Sequence, residues 1–410
     1  MAAMYRSDTP SLLLLPPPPR PANHAALKAA YVPPVKAAIT RIKSEKAHIE
    51  TGSVLVVALV SSVLTGGPSS RQRAFSWPEL QSILAGIYSI VAVVCTQLSI
   101  PTESHAGPDS IDVRVVFVNH ELSGPIVVEG RPAIETNNTV IVDLPTFASA
   151  YHPWKQIFHV NSELGHRILS SYLKLSESVQ ILRQDQLLVV DGGMSFTESA
   201  AEPKPMTKTY SVVCLGGTFD HLHPGHKLLL TAAALLLEAP EDKTEKPARF
   251  IIGVTGDELL KKKKFAELVQ PWDLRVANVI EFLASILELS KSGWVEPHVT
   301  KTTDDYVIAR FRGGRIEVHC VVLQEAYGPT ITEESMDVLV VSGETRAGGD
   351  AVNERRRGLG WRELEIFEVD VLDAHDFIDG PTKTQDFATK ISSSAIRERK
   401  AGSRKQGEPS

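Results

Sequence analysis

Thr218, His223 and His226 fall within nine residues of one another, in the stretch Val212 to Leu230, VVCLGGTFDHLHPGHKLLL. One hydroxyl and two imidazoles can all donate hydrogen bonds to phosphate oxygens. The stretch reads as a buried strand, a glycine turn, a polar loop and the start of a helix. Gly216 and Gly217 let the chain turn sharply and let a ligand approach the main chain. A loop that delivers such groups to a helix N-terminus is a place to hold an anion. Gly216 to Asp220 alone reads equally as a plain βα turn. It is not the G-x-G-x-x-G dinucleotide fingerprint, and no G-x-x-x-x-G-K-[ST] loop occurs in the chain. A second phosphate-type stretch is Ile391 to Arg397, ISSSAIR. There Ser392, Ser393, Ser394 and the amides of a helix N-terminus could hold a polyphosphate, with Arg397 adding a fixed charge. Read alone, that stretch is equally a serine-capped helix.

The elements that must position these groups follow one another in β-α alternation. Strands are expected at Tyr210–Leu215, Arg249–Thr255, Ile316–Leu323, Val338–Ser342 and Glu365–Leu372. Helices are expected from Pro224 to about Glu238, Asp273 to Ser290, Gly349 to Arg357, and from Ser393 or Ser394 onward. This order predicts an α/β fold: a Rossmann-like, doubly wound parallel sheet with helices on both faces and the site outside the carboxyl ends of its strands.

Before it, a smaller α/β domain is expected over residues 51–194. Its strands are Ser53–Leu64, Asp112–Asn119, Thr139–Leu144 and Gln186–Val190, with a helix over Asn161–Leu175. Ser82 to Ile100 carries no charge over nearly the length of a bilayer. Pro101, the interrupting Gln81 and Gln97 and the lack of basic flanks favour a buried helix after a Ser76 cap. His152, His159 and His166 share a spacing of seven, but Pro153 breaks the helix that would align them, so they read as ordinary histidines. Residues 1–50 read as a proline-rich, extended or disordered tail, LLLLPPPPRP, with one short helix over Ala37–Glu50. A linker is expected over 195–208, the catalytic-type domain over 209–400 and a polar tail over 401–410.

Hydrophobic content of 43% and charged content of 22% fit a globular protein of two or three domains. A net charge of −6 gives no global attraction to nucleic acid or anionic membrane, and neither is an expected partner. Cys95, Cys214 and Cys320 lie far apart in apolar runs, which points to buried thiols in a reducing compartment. Leu12–Leu15 is too short for a signal core, so a cytoplasmic location is expected.

With His223-Pro224-Gly225-His226 directly behind G-G-T-F-D, the chain resembles the nucleotidyltransferase superfamily that carries an H-x-G-H signature. The ISSSAIR stretch resembles the phosphate-binding motif of phosphopantetheine adenylyltransferases, and Val340 to Gly349, VVSGETRAGG, resembles the eukaryotic form. Val352-Asn353, Leu268 to Pro271 and Arg275 fit the same family. The resemblance spans roughly 210–400. It implies transfer of AMP from ATP to 4′-phosphopantetheine, giving dephospho-CoA and pyrophosphate. It implies Thr218, His223 and His226 at the reacting phosphate, with Gly217, Phe219, Arg346, Ser392, Ser393, Ser394 and Arg397 at the nucleotide. It further implies one of Lys261, Lys262, Lys263 and Lys264 at the acceptor phosphate. Mg²⁺ is expected with ATP, with no protein metal site, and other coenzyme A biosynthesis enzymes are candidate partners. Animal enzymes of this type continue into a kinase domain with a Walker loop; without one, a single activity is expected. A cytidylyltransferase usually carries R-T-x-G-I-S-T-T where this chain has Thr389-Lys390-Ile391-Ser392-Ser393. That enzyme, or a non-catalytic nucleotide-binding scaffold, is the alternative.

Overall fold

The computed structural model describes residues 9–45, 52–64, 75–121, 140–194, 206–240, 245–290, 297–372 and 392–407. Ile391 and residues 195–205 of the expected linker lie outside them. The chain divides into two compact units. One is Met1–Lys208 with Glu288–Val295 and Asp373–Pro381; the other is Thr209–Leu287, Glu296–Leu372 and Thr382–Ser410.

The first unit holds β1 (Ser11–Leu15), α1 (His24–Ser44), β2 (Ser53–Ser61), α2 (Trp77–Gln97), β3 (Ile111–Asn119) and β4 (Ile141–Asp143). These are followed by α3 (Leu144–Ser149), β5 (Ile157–Val160), α4 (Glu163–Ser176) and β6 (Leu187–Val190). Every strand pair is parallel, in the order β4-β3-β2-β1-β5-β6. The expected tail is therefore corrected. Leu12 to Leu15 form a central strand between β2 and β5, each side chain at most 1% exposed. Burying four leucines is worth on the order of 6–12 kcal/mol, about what ordering five residues costs, and the ladder bonds to both neighbours add to it. The helix expected from Ala37 starts at His24, where the Asn23 side chain accepts from Ala26 N. Pro33 and Pro34 hid it. The Ala29 carbonyl, which Pro33 cannot engage, accepts instead from Met194 N. α2 is long and apolar enough to cross a membrane, but 83% of its apolar window is buried inside the protein.

The second unit holds β7 (Val212–Gly217), α5 (Pro224–Ala234), β8 (Ala248–Thr255), α6 (Asp257–Leu260), α7 (Trp272–Leu287), β9 (His298–Thr303) and β10 (Tyr306–Phe311). Then come β11 (Ile316–Leu323), β12 (Val338–Ser342), α8 (Arg346–Gly358), β13 (Glu365–Val369) and α9 (Ser393–Gly407). The sheet order is β13-β12-β7-β8-β11-β10-β9. The first five strands in that order are parallel, and β10 and β9 add an antiparallel edge. Strand order reverses between β7 and β12, which is where doubly wound sheets leave a crevice. Alternate side chains bury both faces. Val212, Cys214, Ile251, Leu339 and Val341 pack with Val352 of α8, while α5 packs on β7 and β12 and α7 on β8.

Candidate active site

A cleft of about 320 Å³ opens at the carboxyl ends of β7, β8, β11 and β12. Gly216, Gly217, Gly253, Thr255, Leu323 and Tyr327 are among its lining residues. Glycines on its floor let Leu323 and Phe219 pack close against the backbone. A Cβ at Gly253 would lie 2.6 Å from Leu323 Cδ2, and one at Gly217 would lie 3.0 Å from the Phe219 ring.

Beyond Gly217 the loop turns through two left-handed residues, Phe219 (φ 51°) and His221 (φ 48°), with Asp220 between them. Both are strained positions for residues with a Cβ, and the surroundings fix them. Arg275 is fully buried and holds three carbonyls: Nη1 donates to Thr218 O (2.7 Å), Nη2 to Thr255 O (2.9 Å) and Nε to Gln270 O (2.9 Å). The Thr218 hydroxyl lies 3.5 Å from that of Thr255, which donates to Gly217 O.

His223 caps α5. Its Nδ1 accepts from Gly225 N at 3.2 Å, so a neutral ring carries its proton on Nε2 and presents that atom as a donor. The His226 ring stacks on it at 3.9 Å and lies 5.3 Å from the Phe219 ring. Burial first, then the charges of Lys227 and His221, push His223 down to about 3. Burial followed by His223, Lys227, Lys263 and His221 pushes His226 well below its ordinary value. His226 Nδ1 is buried without a partner among the described residues. Two neutral imidazoles stacked among cationic neighbours form a site short of negative charge.

The serine turn meets this loop. Ser392 caps α9, accepting from Ala395 N at 3.3 Å, and the Ser393 hydroxyl donates to Asp220 O at 2.9 Å. The N-termini of α5 and α9 thus open beside the same loop, and the positive ends of their dipoles add to its attraction for anions.

Two expected ligand contacts are corrected. Phe219 is fully buried, packed beneath Gly217 and against His226, so its ring supports the loop and does not face a cleft. Arg397 is 1% exposed, and Nε, Nη1 and Nη2 donate to Lys264 O, Asp220 Oδ2 and Ser394 Oγ. Arg346 opens α8 close to the cleft residues Thr345 and Gly348; it is exposed and paired with Glu368. Of the four lysines, Lys261 pairs with Glu258 and Lys264 with Glu398, whereas Lys263 acts electrostatically on His226. Sequence reading missed Asp220 and the clamp made by Arg275. The aspartate inside G-G-T-F-D and the arginine closing ISSSAIR were the available signals.

Among the described residues, the histidines of the first unit do not gather into a site. His159 on β5 lies 5.2 Å from His166 on α4, ring to ring, and His152 Nε2 bonds Leu289 O. Among the described residues, no three His, Cys, Asp or Glu side chains are placed to share a metal ion.

The second unit is a nucleotidyltransferase-type α/β domain: residues 214–399 match the cytidylyltransferase-like family. Residues 1–196 match a domain of unknown function, DUF8446. The chain is 32% identical over 200 residues to a phosphopantetheine adenylyltransferase of Saccharomyces cerevisiae, covering 49% of this chain and 52% of that one. It is 31% identical over 173 residues to the phosphopantetheine adenylyltransferase of Methanothermobacter thermautotrophicus, covering 42% of this chain and 81% of that one. An uncharacterized protein of Schizosaccharomyces pombe is 35% identical over 189 residues, 46% of this chain and 47% of that one. The chain thus spans about half the length of these two yeast relatives. The chain belongs to the phosphopantetheine adenylyltransferase family of the nucleotidyltransferase superfamily.

Proposed function

We propose that the second unit transfers AMP from ATP to 4′-phosphopantetheine, forming dephospho-CoA and pyrophosphate. The observation that carries this reading is the junction of two helix N-termini. His223 and His226 stack at the mouth of α5, and the serine turn of α9 is bonded to the same loop through Ser393 and Asp220. A polyphosphate chain has donors along such a junction, and the relatives' names point to the same substrates.

An oxygen of the acceptor phosphate forms a bond to the α-phosphorus of ATP while the bond from that phosphorus to the αβ-bridging oxygen breaks. Pyrophosphate leaves on the opposite side. The attacking phosphate is already an anion, so no residue has to remove a proton, and no covalent enzyme intermediate is required. Catalysis is positioning plus stabilisation of charge. The Thr218 hydroxyl, His223 Nε2–H and His226 bind the α-phosphate as its charge builds. Ser392, Ser393, Ser394 and the α9 amides take the leaving pyrophosphate. Lys263 takes the acceptor phosphate, and the apolar cleft floored by Gly253 and Leu323 takes its organic arm. Mg²⁺ enters with ATP as the substrate complex, held chiefly by phosphate oxygens and water. The buried thiols fit a reducing, cytoplasmic setting.

Because the matching family is described as cytidylyltransferase-like, the deciding assay compares nucleotides. Pyrophosphate release by the whole chain is measured with 4′-phosphopantetheine and magnesium ATP or CTP. Release with ATP is expected. A preference for CTP, or nucleotide binding without release, overturns the reading.

A further inference from the structure

The histidine loop and the serine turn are 173 residues apart in sequence, yet both must present donors to one polyphosphate. What fixes their spacing is a buried ion pair. The Asp220 side chain is fully buried, and its Oδ2 accepts from Arg397 Nη1 at 2.5 Å. A carboxylate at that depth cannot stay charged without partners. Its other oxygen, Oδ1, accepts from Gln270 N at 2.9 Å.

Each end of the pair reaches further. Arg397 Nη2 donates to Ser394 Oγ (3.1 Å), inside the serine turn, and Nε donates to Lys264 O (3.0 Å), at the end of the lysine run. From Asp220, Gln270 continues the chain. Its Oε1 accepts from His221 N (2.8 Å), and its carbonyl is held by Arg275, which also holds Thr218 O. The three segments that face phosphate are therefore fastened at one buried junction: the loop of Thr218 and the histidines, the lysine run, and the serines. The left-handed residues on either side of Asp220 fit this picture, since such backbone persists where its surroundings over-determine it.

We propose that the Asp220–Arg397 pair is a latch that sets the distance between the histidine loop and the serine turn, and that Arg397 is a positioning residue and not a phosphate ligand. The kinetic consequence rests on the adenylyl-transfer reading; the mechanical consequence does not.

The two roles separate in a double-mutant cycle of Asp220→Asn and Arg397→Met in the full chain. Asparagine keeps the shape of the aspartate, removes its charge and replaces one of its two accepting oxygens with a donor, so it cannot keep both bonds. If the pair is a latch, each single variant lowers kcat/KM on the order of 10²-fold, the scale of a small misplacement at a reacting centre. The double variant is then no worse than the weaker single, because both remove the same interaction. KM for both substrates rises, since the latch also holds the lysine run. If instead Arg397 gripped phosphate directly, Asp220→Asn would stay near wild type while Arg397→Met lost affinity for ATP alone, and the proposal would fall.

Amide hydrogen exchange without ligand keeps the latch testable apart from turnover. Asp220→Asn should raise exchange together in peptides covering 218–222, 264–270 and 392–398, while β7 and β8 stay protected. Loosening confined to the substituted loop overturns the latch. A wild-type chain that releases no pyrophosphate with any nucleotide refutes adenylyl transfer, and the exchange pattern then still decides the latch.

Discussion

His226→Ala separates chemistry from stability. In the folded chain the His226 ring has two aromatic neighbours, His223 stacked at 3.9 Å and Phe219 at 5.3 Å. Each such contact is worth about 0.5–1.5 kcal/mol beyond area burial. Against this, Nδ1 is buried without a partner, and an unsatisfied buried polar atom costs about 1–3 kcal/mol. Removing the ring loses the first contribution, about 1–3 kcal/mol for the two contacts, and relieves the second, so the net change in folding stability should lie within about 2 kcal/mol. Turnover has no such compensation. His226 is proposed to bind the α-phosphate as charge develops, and losing one preorganised donor of that kind costs about 10²–10³-fold in kcat, roughly 2.7–4 kcal/mol. The assay is pyrophosphate release from magnesium ATP and 4′-phosphopantetheine, run beside a ligand-free thermal melt. The expected result is a kcat about 10²–10³-fold lower with a melting temperature within a few degrees of wild type. Wild-type kcat in the variant refutes the catalytic assignment. Collapse of the melting temperature refutes the stability argument.

Other outcomes follow from the same structure. Burial holds His152 down at about 4, so its contribution to stability is intact above its unfolded value near 6.5 and is lost as pH falls from there toward 4. About 3 kcal/mol is at stake. The acid slope of the melting temperature should be shallower in His152→Gln, and identical slopes would count against this. Lys263→Ala should raise KM for the phosphorylated acceptor about tenfold or more, while Lys261→Ala, whose ammonium is already paired with Glu258, should change it little; the reverse ranking would reassign the acceptor site. Gly253→Val should push Leu323 into the cleft, because even a Cβ there meets the Leu323 side chain at 2.6–2.8 Å. Overpacking of this kind costs about 1–3 kcal/mol of folding stability, and the narrowed cleft should show as weaker acceptor binding in calorimetry. Unchanged affinity would place the organic arm elsewhere.

Four of the five parallel strands of the second unit were legible because each is a largely buried run carrying β-branched residues; β13, EIFEV, is mostly half-exposed and shows instead as apolar and acidic residues together. β9 was not legible. Its six residues, HVTKTT, are all exposed, so no apolar pattern marks them, and only pairing with β10 makes them a strand. β5 was missed because a histidine interrupts its four residues, IFHV, whereas the equally short β6, LLVV, is apolar throughout. In the first fifty residues the prolines overrode a correct apolar signal: Leu12–Leu15 and the buried face of α1 were visible, but Pro16–Pro19 and Pro33–Pro34 read as breakers. At the candidate site, residue type and spacing marked Thr218, the two histidines and the serines as anion-binding candidates, and the family resemblance supplied their expected roles. The Asp220–Arg397 and Arg275 contacts were not readable, because a bond between distant segments leaves no mark in local spacing. That is why Arg397 read as a free charge facing ligand and is instead spent on its own fold.

The central place of β1 also bears on how the first unit can be made. β1 leaves the ribosome before either of its partners and can pair with β2 after about forty further residues, since Leu14 faces Ala58. Its other neighbour, His159 of β5, comes 145 residues after Leu14. At roughly 5–20 residues per second, one edge of this leucine strand waits on the order of ten seconds during synthesis for the strand that covers it. Over that interval it is an unpaired, wholly apolar template of the kind that invites wrong partners. Trimming the first twenty residues as a tail for expression would remove the middle of the sheet and leave β2 and β5 with bare facing edges. A product that aggregates after such trimming would report the loss of this strand, not a defect in the nucleotidyltransferase-type unit.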